Sequence, residues 1–170
     1  MNEVLTQWNH LSAVDAIREI IPCCGSKSWA QRLAECRPVA NEAGLLTASD
    51  DIWRSLSASD WLEAFQSHPR IGESSSHGPG TAQSASWSRQ EQSEVASAGD
   101  ALKIELASAN RGYEEKFGHI FIVCATDKSA SEILAILCRR MQNDKKTELY
   151  EAAEQQRQIT QLRLKKWLGV

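Results

Sequence analysis

The sequence lacks any apolar segment approaching the roughly 18 residues of a membrane span, so we expect no transmembrane helix. Its first residues, Met1 to Gln7, also lack the basic and apolar regions of a signal peptide. There is no basic excess, because 19 Lys and Arg stand against 22 Asp and Glu, a net charge of −3. Nucleic-acid-binding surfaces usually show such an excess. The composition therefore predicts a protein that binds neither membranes nor nucleic acid.

Motifs for metals, nucleotides and disulfides are missing as well. His10, His77 and His119 show no metal-ligand spacing with one another or with cysteine, and glycine-rich phosphate loops are absent. The five cysteines form no CxxC pair, and without a secretion signal they indicate reduced thiols. We therefore expect no metal, no cofactor and a cytoplasmic location. A peroxisomal location is the alternative for a eukaryotic protein, although Leu168-Gly169-Val170 is not an SKL-type signal.

Helix signals dominate what is present, whereas strand signals are scarce. The predicted helix starts are Ser12, Ser28, Ser49, Ser59, Ser88 and Ser129, and the last helix spans about 145–168. After the Ser-rich segment the sequence predicts a long helix with an interruption near Gly99. Its apolar stripe runs from Leu102 to Phe117, and Gly118 closes it. The 170 residues correspond to one domain, 1–170. The sequence thus predicts an all-α, single-domain helical bundle of about seven to eight helices.

Two segments do not follow the helical pattern. The residues from Gly72 to Ser86 are rich in Ser, Gly and Ala, and a loop of about 15 residues tends to be functional or disordered. We expect a mobile surface loop there and treat 73–86 as a candidate lid. The apolar run from Phe121 to Ala125 is compatible with a buried strand or with the start of a helix.

His68 is the first candidate for chemistry. The residue before a proline is pushed out of the α region, so a helix must stop at or just before His68. At a helix C-terminus the macrodipole favours the protonated imidazole, by a few tenths to about 1 kcal/mol. Such an imidazole is suited to general-acid catalysis. From the residues alone, a histidine that merely caps the last carbonyls is the more common explanation.

Ser88-x-x-Glu91, followed by Gln92, has the spacing of a capping box that needs no ligand. The functional alternative is a helix N-terminus that offers N–H groups and a carboxylate to a polar ligand.

Arg163 is the more unusual residue, because it recurs with Gln156 on a helical stripe of Leu149, Ala152 and Ile159. A core-facing arginine needs a partner. That partner is either an acidic side chain in an internal salt bridge or a substrate carboxylate bound by two hydrogen bonds. Arg139 and Arg140 are weaker candidates, because arginines near a helix C-terminus commonly complement the dipole.

Several motifs occur together and in a characteristic order. They are His68-Pro69-Arg70-Ile71-Gly72, Ser88-x-x-Glu91-Gln92, Tyr113-x-x-Lys116-Phe117-Gly118, Phe121-Ile122-Val123-Cys124-Ala125-Thr126, Glu148-Leu149 and Ile159-Thr160-x-Leu162-Arg163-Leu164. In this set the sequence resembles the 2-oxo-4-hydroxy-4-carboxy-5-ureidoimidazoline (OHCU) decarboxylases of urate degradation. The resemblance runs from about Asp51 to Leu168, and more loosely from Leu11.

The resemblance implies an all-α enzyme, usually a homodimer, that needs no metal or organic cofactor. Its substrate, OHCU, is the product of 5-hydroxyisourate hydrolysis, so 5-hydroxyisourate hydrolase is the implied pathway partner. The enzyme releases one carboxylate as CO2 and delivers (S)-allantoin, the last step from urate to allantoin. In plants the family domain is fused to a transthyretin-like hydrolase, for which 170 residues leave no room. A stand-alone enzyme and a domain cut from such a fusion both stay open.

Residue by residue, the resemblance implies that His68 is the proton donor and that Glu91 and Arg163 orient the substrate. Pro69 lines the same pocket. The implied substrate-binding residues also include Ser88, Arg89, Gln90 and Gln92, and the segment Val123, Cys124, Ala125, Thr126 and Asp127. In the apolar stripe, a bound anion would supply the partner that Arg163 requires.

Two other functions fit parts of the sequence. One is a helical binding module that recognises a ureide or purine catabolite without turning it over. The other is an enzyme with a reactive Cys24 thiol, placed by Cys23-Cys24-Gly25-Ser26 near a helix N-terminus. Against the second, buried cysteine usually behaves as a small hydrophobe.

Overall fold

The computed structural model describes residues 2–73 and 80–170. In these residues it contains ten α-helices and one short 3-10 helix, so the all-α prediction is confirmed, with more helices than the seven to eight expected. The chain divides into two compact units, Met1–Ala64 with Arg157–Val170, and Phe65–Gln156. No helix in the described ranges is long and apolar enough to cross a membrane.

The first unit is built from short, individually capped helices. In chain order they are α1 (Glu3–His10), α2 (Ala13–Ile20), the 3-10 turn Ile21–Cys23, α3 (Lys27–Glu35) and α4 (Glu42–Ser55), with most of α5 (Ala58–Gln66) and the end of α10 (Lys145–Leu168). Asn2, Ser12, Ser26 and Asn41 cap α1 to α4 by accepting a backbone N–H. Trp8 and Trp29 are buried, and their indole N–H groups donate to Ala16 O and Ser49 Oγ.

The second unit holds the remaining helices. These are α6 (Ala82–Glu91), α7 (Ser93–Ala96), α8 (Asp100–Phe117), α9 (Ala130–Arg140) and the first part of α10. Its apolar core contains Ile71, Val95, Leu106, Tyr113, Phe117, Phe121, Val123, Ile133 and Leu137. Gly118 ends α8 at φ 81°, a left-handed conformation that favours glycine. Both this end and the Ser129–Glu132 capping box of α9 match the sequence prediction.

Two predicted helix starts were wrong for a common reason, and one helix was missed. α1 was not predicted, α4 begins at Glu42 and not at Ser49, and α6 begins at Ala82 and not at Ser88. Ser49 and Ser88 are buried helix-interior residues, although Ser is also a favoured N-cap. The real caps, Asn41 and Thr81, precede helices whose first turns contain Gly44 or Ser84, residues that weaken the helical signal.

A buried ion pair joins three helices of the second unit. Arg140 on α9 and Glu148 on α10 are 1% and 0% exposed, and Arg140 Nε donates to Glu148 Oε1 at 2.8 Å. Tyr113 on α8 donates its hydroxyl to the same carboxylate oxygen, and Arg140 Nη1 donates to Ile122 O at 2.7 Å. Arg140 therefore does more than complement a helix dipole, because it links α9, α10 and the segment before Val123.

Candidate active site

His68 lies just beyond α5, as its position before proline predicts. Its backbone N–H donates to Phe65 O at 3.1 Å and closes the last turn. The side chain is 8% exposed, and Nε2 lies 2.7 Å from Oε1 of Gln156, which is fully buried. The imidazole therefore contacts a neutral amide through Nε2.

The chain after Pro69 is held by side chains of α8 and by Gln92, which follows α6. Arg70 forms a two-point ion pair with Glu114 of α8, at 2.6 and 3.1 Å. Asn110, also on α8, donates its amide to Ile71 O at 3.0 Å. The Gly72 N–H donates to Gln92 Oε1 at 3.1 Å, just beyond α6. These contacts fix the direction in which the chain leaves His68.

The helix that carries Ser88 and Glu91 differs from the sequence prediction. Its capping box is formed by Thr81 and Ser84, so the first turn lies at Ala82 and α6 runs through Glu91. Ser88 is therefore a buried residue inside the helix, and Glu91 lies in its last turn. The predicted helix N-terminus beside Glu91 is wrong, and α6 cannot present its first N–H groups there. The candidate lid 73–86 is helical from Ala82 onward, and its residues 74–79 lie outside the described residues.

The segment from Phe121 to Ala125 is neither of the two alternatives considered, because it is buried without regular secondary structure. Backbone groups of this segment form hydrogen bonds with side chains, as they would with the backbone of a neighbouring strand in a sheet. Gln155 Oε1 accepts the Cys124 N–H at 2.9 Å, and Lys128 Nζ donates to Cys124 O at 2.8 Å. Asp127 turns the chain at φ 61°, where non-glycine residues are uncommon.

Three of the predicted site segments are brought together within the second unit. Gln155 and Gln156 are neighbours on α10, and they contact Cys124 and His68, respectively. Burial raises the pKa of the Cys124 thiol, the positive charge of Lys128 lowers it, and the negative charge of Glu91 raises it. Gln92 links the end of α6 to Gly72. Two adjacent glutamines of α10 therefore connect His68 with the segment 123–127, and Gln92 connects the end of α6 with the chain after His68.

Arg163 lies in the first unit and is 1% exposed, so its predicted place on a buried helix face is confirmed. Its Nη1 donates to Pro22 O at 3.2 Å. The positive charge lies close enough to Cys23 and Cys24 to lower their thiol pKa values, although burial raises both by more. The grip of Arg163 on a substrate carboxylate stays a prediction.

The structure argues against a catalytic Cys24. The residue is fully buried, and this burial raises the pKa of its thiol to about 12, despite hydrogen bonds from Ser26 and Thr160. The thiolate is the nucleophilic form of cysteine, and little of it exists near neutral pH at such a pKa.

Thiol labelling of the native protein is therefore expected to be biphasic. Cys36 and Cys138 are exposed and should react quickly with an aromatic disulfide reagent, whereas Cys23, Cys24 and Cys124 are buried and should react only on unfolding. Peptide mapping of the labelled sites checks the assignment. A C36S/C138S variant is the control, and it should lose the fast phase alone. Fast labelling of Cys24 would contradict this description.

A surface cavity of about 310 Å³ lies beside the chain after Pro69. Arg70, Gly72, Asn110 and Glu114 are among its lining residues, but His68 and Glu91 are not. We therefore do not place the candidate site in it. Within residues 2–73 and 80–170, no group of three or more His, Cys, Asp and Glu side chains is arranged to hold a metal ion.

Sequence reasoning missed some positioning residues. Gln156 was noticed as a polar residue on an apolar helix face, which was the available signal for its bond to His68. Gln155 and Asn110 carried no such signal, because their partners are backbone groups of segments distant in sequence. Arg140 and Glu148 were both named from the sequence, but their ion pair was not predicted because it depends on how α9 and α10 pack.

The comparison with known sequences gives consistent matches. A sequence model of the family described as OHCU decarboxylase matches residues 9–165. The chain is 36% identical over 149 residues to the uric acid degradation bifunctional protein TTL of Arabidopsis thaliana, which covers 85% of this chain. It is 32% identical over 129 residues to the 2-oxo-4-hydroxy-4-carboxy-5-ureidoimidazoline decarboxylase of Amia calva, covering 75% of this chain and 73% of that protein.

The fold is similar to that of a solved structure. A crystal structure of OHCU decarboxylase in the presence of (S)-allantoin superposes with a TM-score of 0.77 at 34% identity, covering 89% of this chain and 98% of that one. The chain spans only 44% of the length of the Arabidopsis protein and 31% of a second bifunctional relative from a Bacillus strain.

Proposed function

Because the chain belongs to the OHCU decarboxylase family, we propose that it converts OHCU to (S)-allantoin and CO2, the last step from urate to allantoin. The family match over residues 9–165 carries this proposal. The geometry around His68 supports it, because the buried imidazole hydrogen-bonds Gln156, whose neighbour Gln155 holds the backbone of the segment 123–127.

The chemistry needs one acid and a set of fixed donors. When the bond to the departing carboxylate breaks, CO2 leaves and its electron pair moves toward the neighbouring C=N bond of the ring. The hydroxyl on the carbon that lost CO2 gives up its proton and becomes a ring carbonyl of allantoin. Preorganised hydrogen-bond donors around the ring stabilise the developing charge without a cofactor. His68, as imidazolium, gives its proton from one side to the adjacent carbon that bears the ureido group, and this step sets the stereochemistry of allantoin.

The other site residues hold the substrate in this account. Glu91 accepts N–H groups of the ureido arm, and Ser88, Arg89, Gln90 and Gln92 supply further contacts from α6 and its end. Pro69 lines the pocket beside His68, and the backbone from Val123 to Asp127 contacts the ring. Arg163 fixes a polar group of the substrate. The bond between Gln92 and Gly72 supports a role in shaping the site, in addition to any direct contact.

We also propose a homodimer and a pathway partner, 5-hydroxyisourate hydrolase, which supplies the substrate. The names of two relatives, both uric acid degradation bifunctional proteins, support a second activity on the same route. Light scattering of the purified chain tests the dimer, since a monomer mass at micromolar concentration would reject it.

Release of CO2 is the experiment that tests the activity. OHCU is generated from uniformly ¹³C-labelled urate with urate oxidase and 5-hydroxyisourate hydrolase, and ¹³CO2 is followed by NMR with and without this protein. We expect release well above the spontaneous rate, in proportion to protein concentration. Release at the spontaneous rate would reject the enzyme, and saturable ligand binding without faster release would favour the binding module.

A further inference from the structure

Two adjacent glutamines of α10, Gln155 and Gln156, contact two separate parts of the candidate site. Gln156 Oε1 lies 2.7 Å from His68 Nε2, and Gln155 Oε1 accepts the backbone N–H of Cys124 at 2.9 Å. The Gln156 side chain is fully buried and that of His68 nearly so. A buried amide is unfavourable unless it is hydrogen-bonded, so a glutamine on this face requires a specific partner.

The contact at Nε2 determines where the imidazole can carry its protons. A carbonyl oxygen only accepts hydrogen bonds, so Nε2 must hold a proton for this bond to form. In the neutral ring the other nitrogen, Nδ1, then carries the lone pair. In the imidazolium both nitrogens are protonated, and only the Nδ1 proton can leave without breaking the bond to Gln156.

We propose that Gln156 is a positioning residue that holds His68 in the Nε2–H tautomer and makes Nδ1 the atom that protonates the substrate. This inference rests on the proposed function. In the step, the Nδ1–H bond breaks and its electrons stay on Nδ1, while the pair left by CO2 forms the new C–H bond. Solvent then returns a proton to Nδ1. Gln155 keeps the Cys124 backbone in register with this ring, because the two glutamines are consecutive on one helix.

A glutamine suits this task better than a carboxylate would. A negative charge facing Nε2 would stabilise the imidazolium and make it a weaker acid. A neutral amide fixes the tautomer and the ring orientation without that effect, so the proton stays available for transfer. An apolar side chain of the same size would pack against the ring but would select neither tautomer.

Kinetics of three variants test the role. Gln156→Leu removes the acceptor, and we expect kcat to fall about 10- to 100-fold with KM little changed, because a misplaced reacting group affects the transition state. In Gln156→Glu the acceptor is retained, so much of the rate should return. The pH above which the rate falls, because His68 is no longer protonated, should then be about one to three units higher than in wild type. Gln161→Leu is the matched control on the same helix, since Gln161 bonds Leu46 O and Asp50, and its kcat should match wild type.

NMR of the histidine rings gives a second measurement that does not depend on turnover. In ¹⁵N-labelled wild-type protein, long-range ¹H–¹⁵N spectra should show neutral His68 as the Nε2–H tautomer, and Gln156→Leu should show a mixture. A wild-type ring in the Nδ1–H form would overturn the proposal, and so would Gln156→Leu with wild-type kcat.

If wild type releases no CO2 beyond the spontaneous rate, the proposed function fails, whereas the spectrum still decides the tautomer. If Gln156→Leu does not fold, the wild-type spectrum and Gln156→Glu decide the outcome.

Discussion

Glu148→Leu is expected to lower the free energy of unfolding by about 3–5 kcal/mol, because it leaves the Arg140 guanidinium buried without its counter-ion. The Tyr113 hydroxyl loses its acceptor in the same variant. Burial and the Glu148 carboxylate raise the pKa of Tyr113, so its hydroxyl is a proton donor throughout the neutral range. Urea titration followed by far-ultraviolet circular dichroism measures the loss.

The double variant R140M/E148L distinguishes an unpaired charge from a simple loss of packing. Replacing both partners of a buried ion pair with apolar residues often restores stability, so the double variant should be more stable than Glu148→Leu alone. The exposed pair of Arg54 and Asp51 offers a control, because Asp51→Asn should change stability little. Additive losses in the double variant would contradict a coupled pair.

His68→Ala is expected to lower kcat by about 10²–10⁴-fold, the range that a positioned general acid contributes. At an exposed helix end such a change would cost little stability. The structure gives a different expectation, because the buried Gln156 amide loses its hydrogen bond to the imidazole, at a cost of about 1–3 kcal/mol. Stopped-flow kinetics and urea titration of the same preparation measure the two effects separately.

His68→Gln is the companion variant that separates chemistry from packing. Its amide can occupy much of the same space and bond to Gln156, but it cannot donate a proton as imidazolium does. It should therefore be more stable than His68→Ala and equally inactive. Recovery of activity in His68→Gln would show that His68 fills space and does not act as an acid.

Local signals explain how much of the fold was predictable. The Ser129–Glu132 box and the left-handed Gly118 depend on a few neighbouring residues, so both could be predicted from the sequence. Thr81 and Asn41 were missed because Ser88 and Ser49 present equally good local cap patterns. Burial of those serines inside helices is decided by tertiary packing, which overrides local preference.

For the candidate site, the sequence indicated several residues but not the partners that they contact. Family motifs indicated His68, Glu91 and the segment 123–127, and helical periodicity alone marked Gln156 and Arg163 as polar residues on a buried face. Which partners those residues take could not be predicted, because His68 and Gln156 are 88 positions apart in the sequence. The irregular conformation of the segment 123–127 could not be predicted either. Its backbone hydrogen bonds are made by side chains distant in sequence, and they leave no periodic pattern in the sequence.

The optical activity of the allantoin produced tests the central claim most directly. Freshly generated OHCU is taken to completion with wild type and with His68→Ala, and ellipticity is recorded throughout. If His68 protonates one face of the substrate, wild type gives (S)-allantoin rapidly, whereas His68→Ala forms allantoin at least about 100-fold more slowly and without an excess of the S enantiomer. (S)-Allantoin formed by His68→Ala at the wild-type rate would contradict the account.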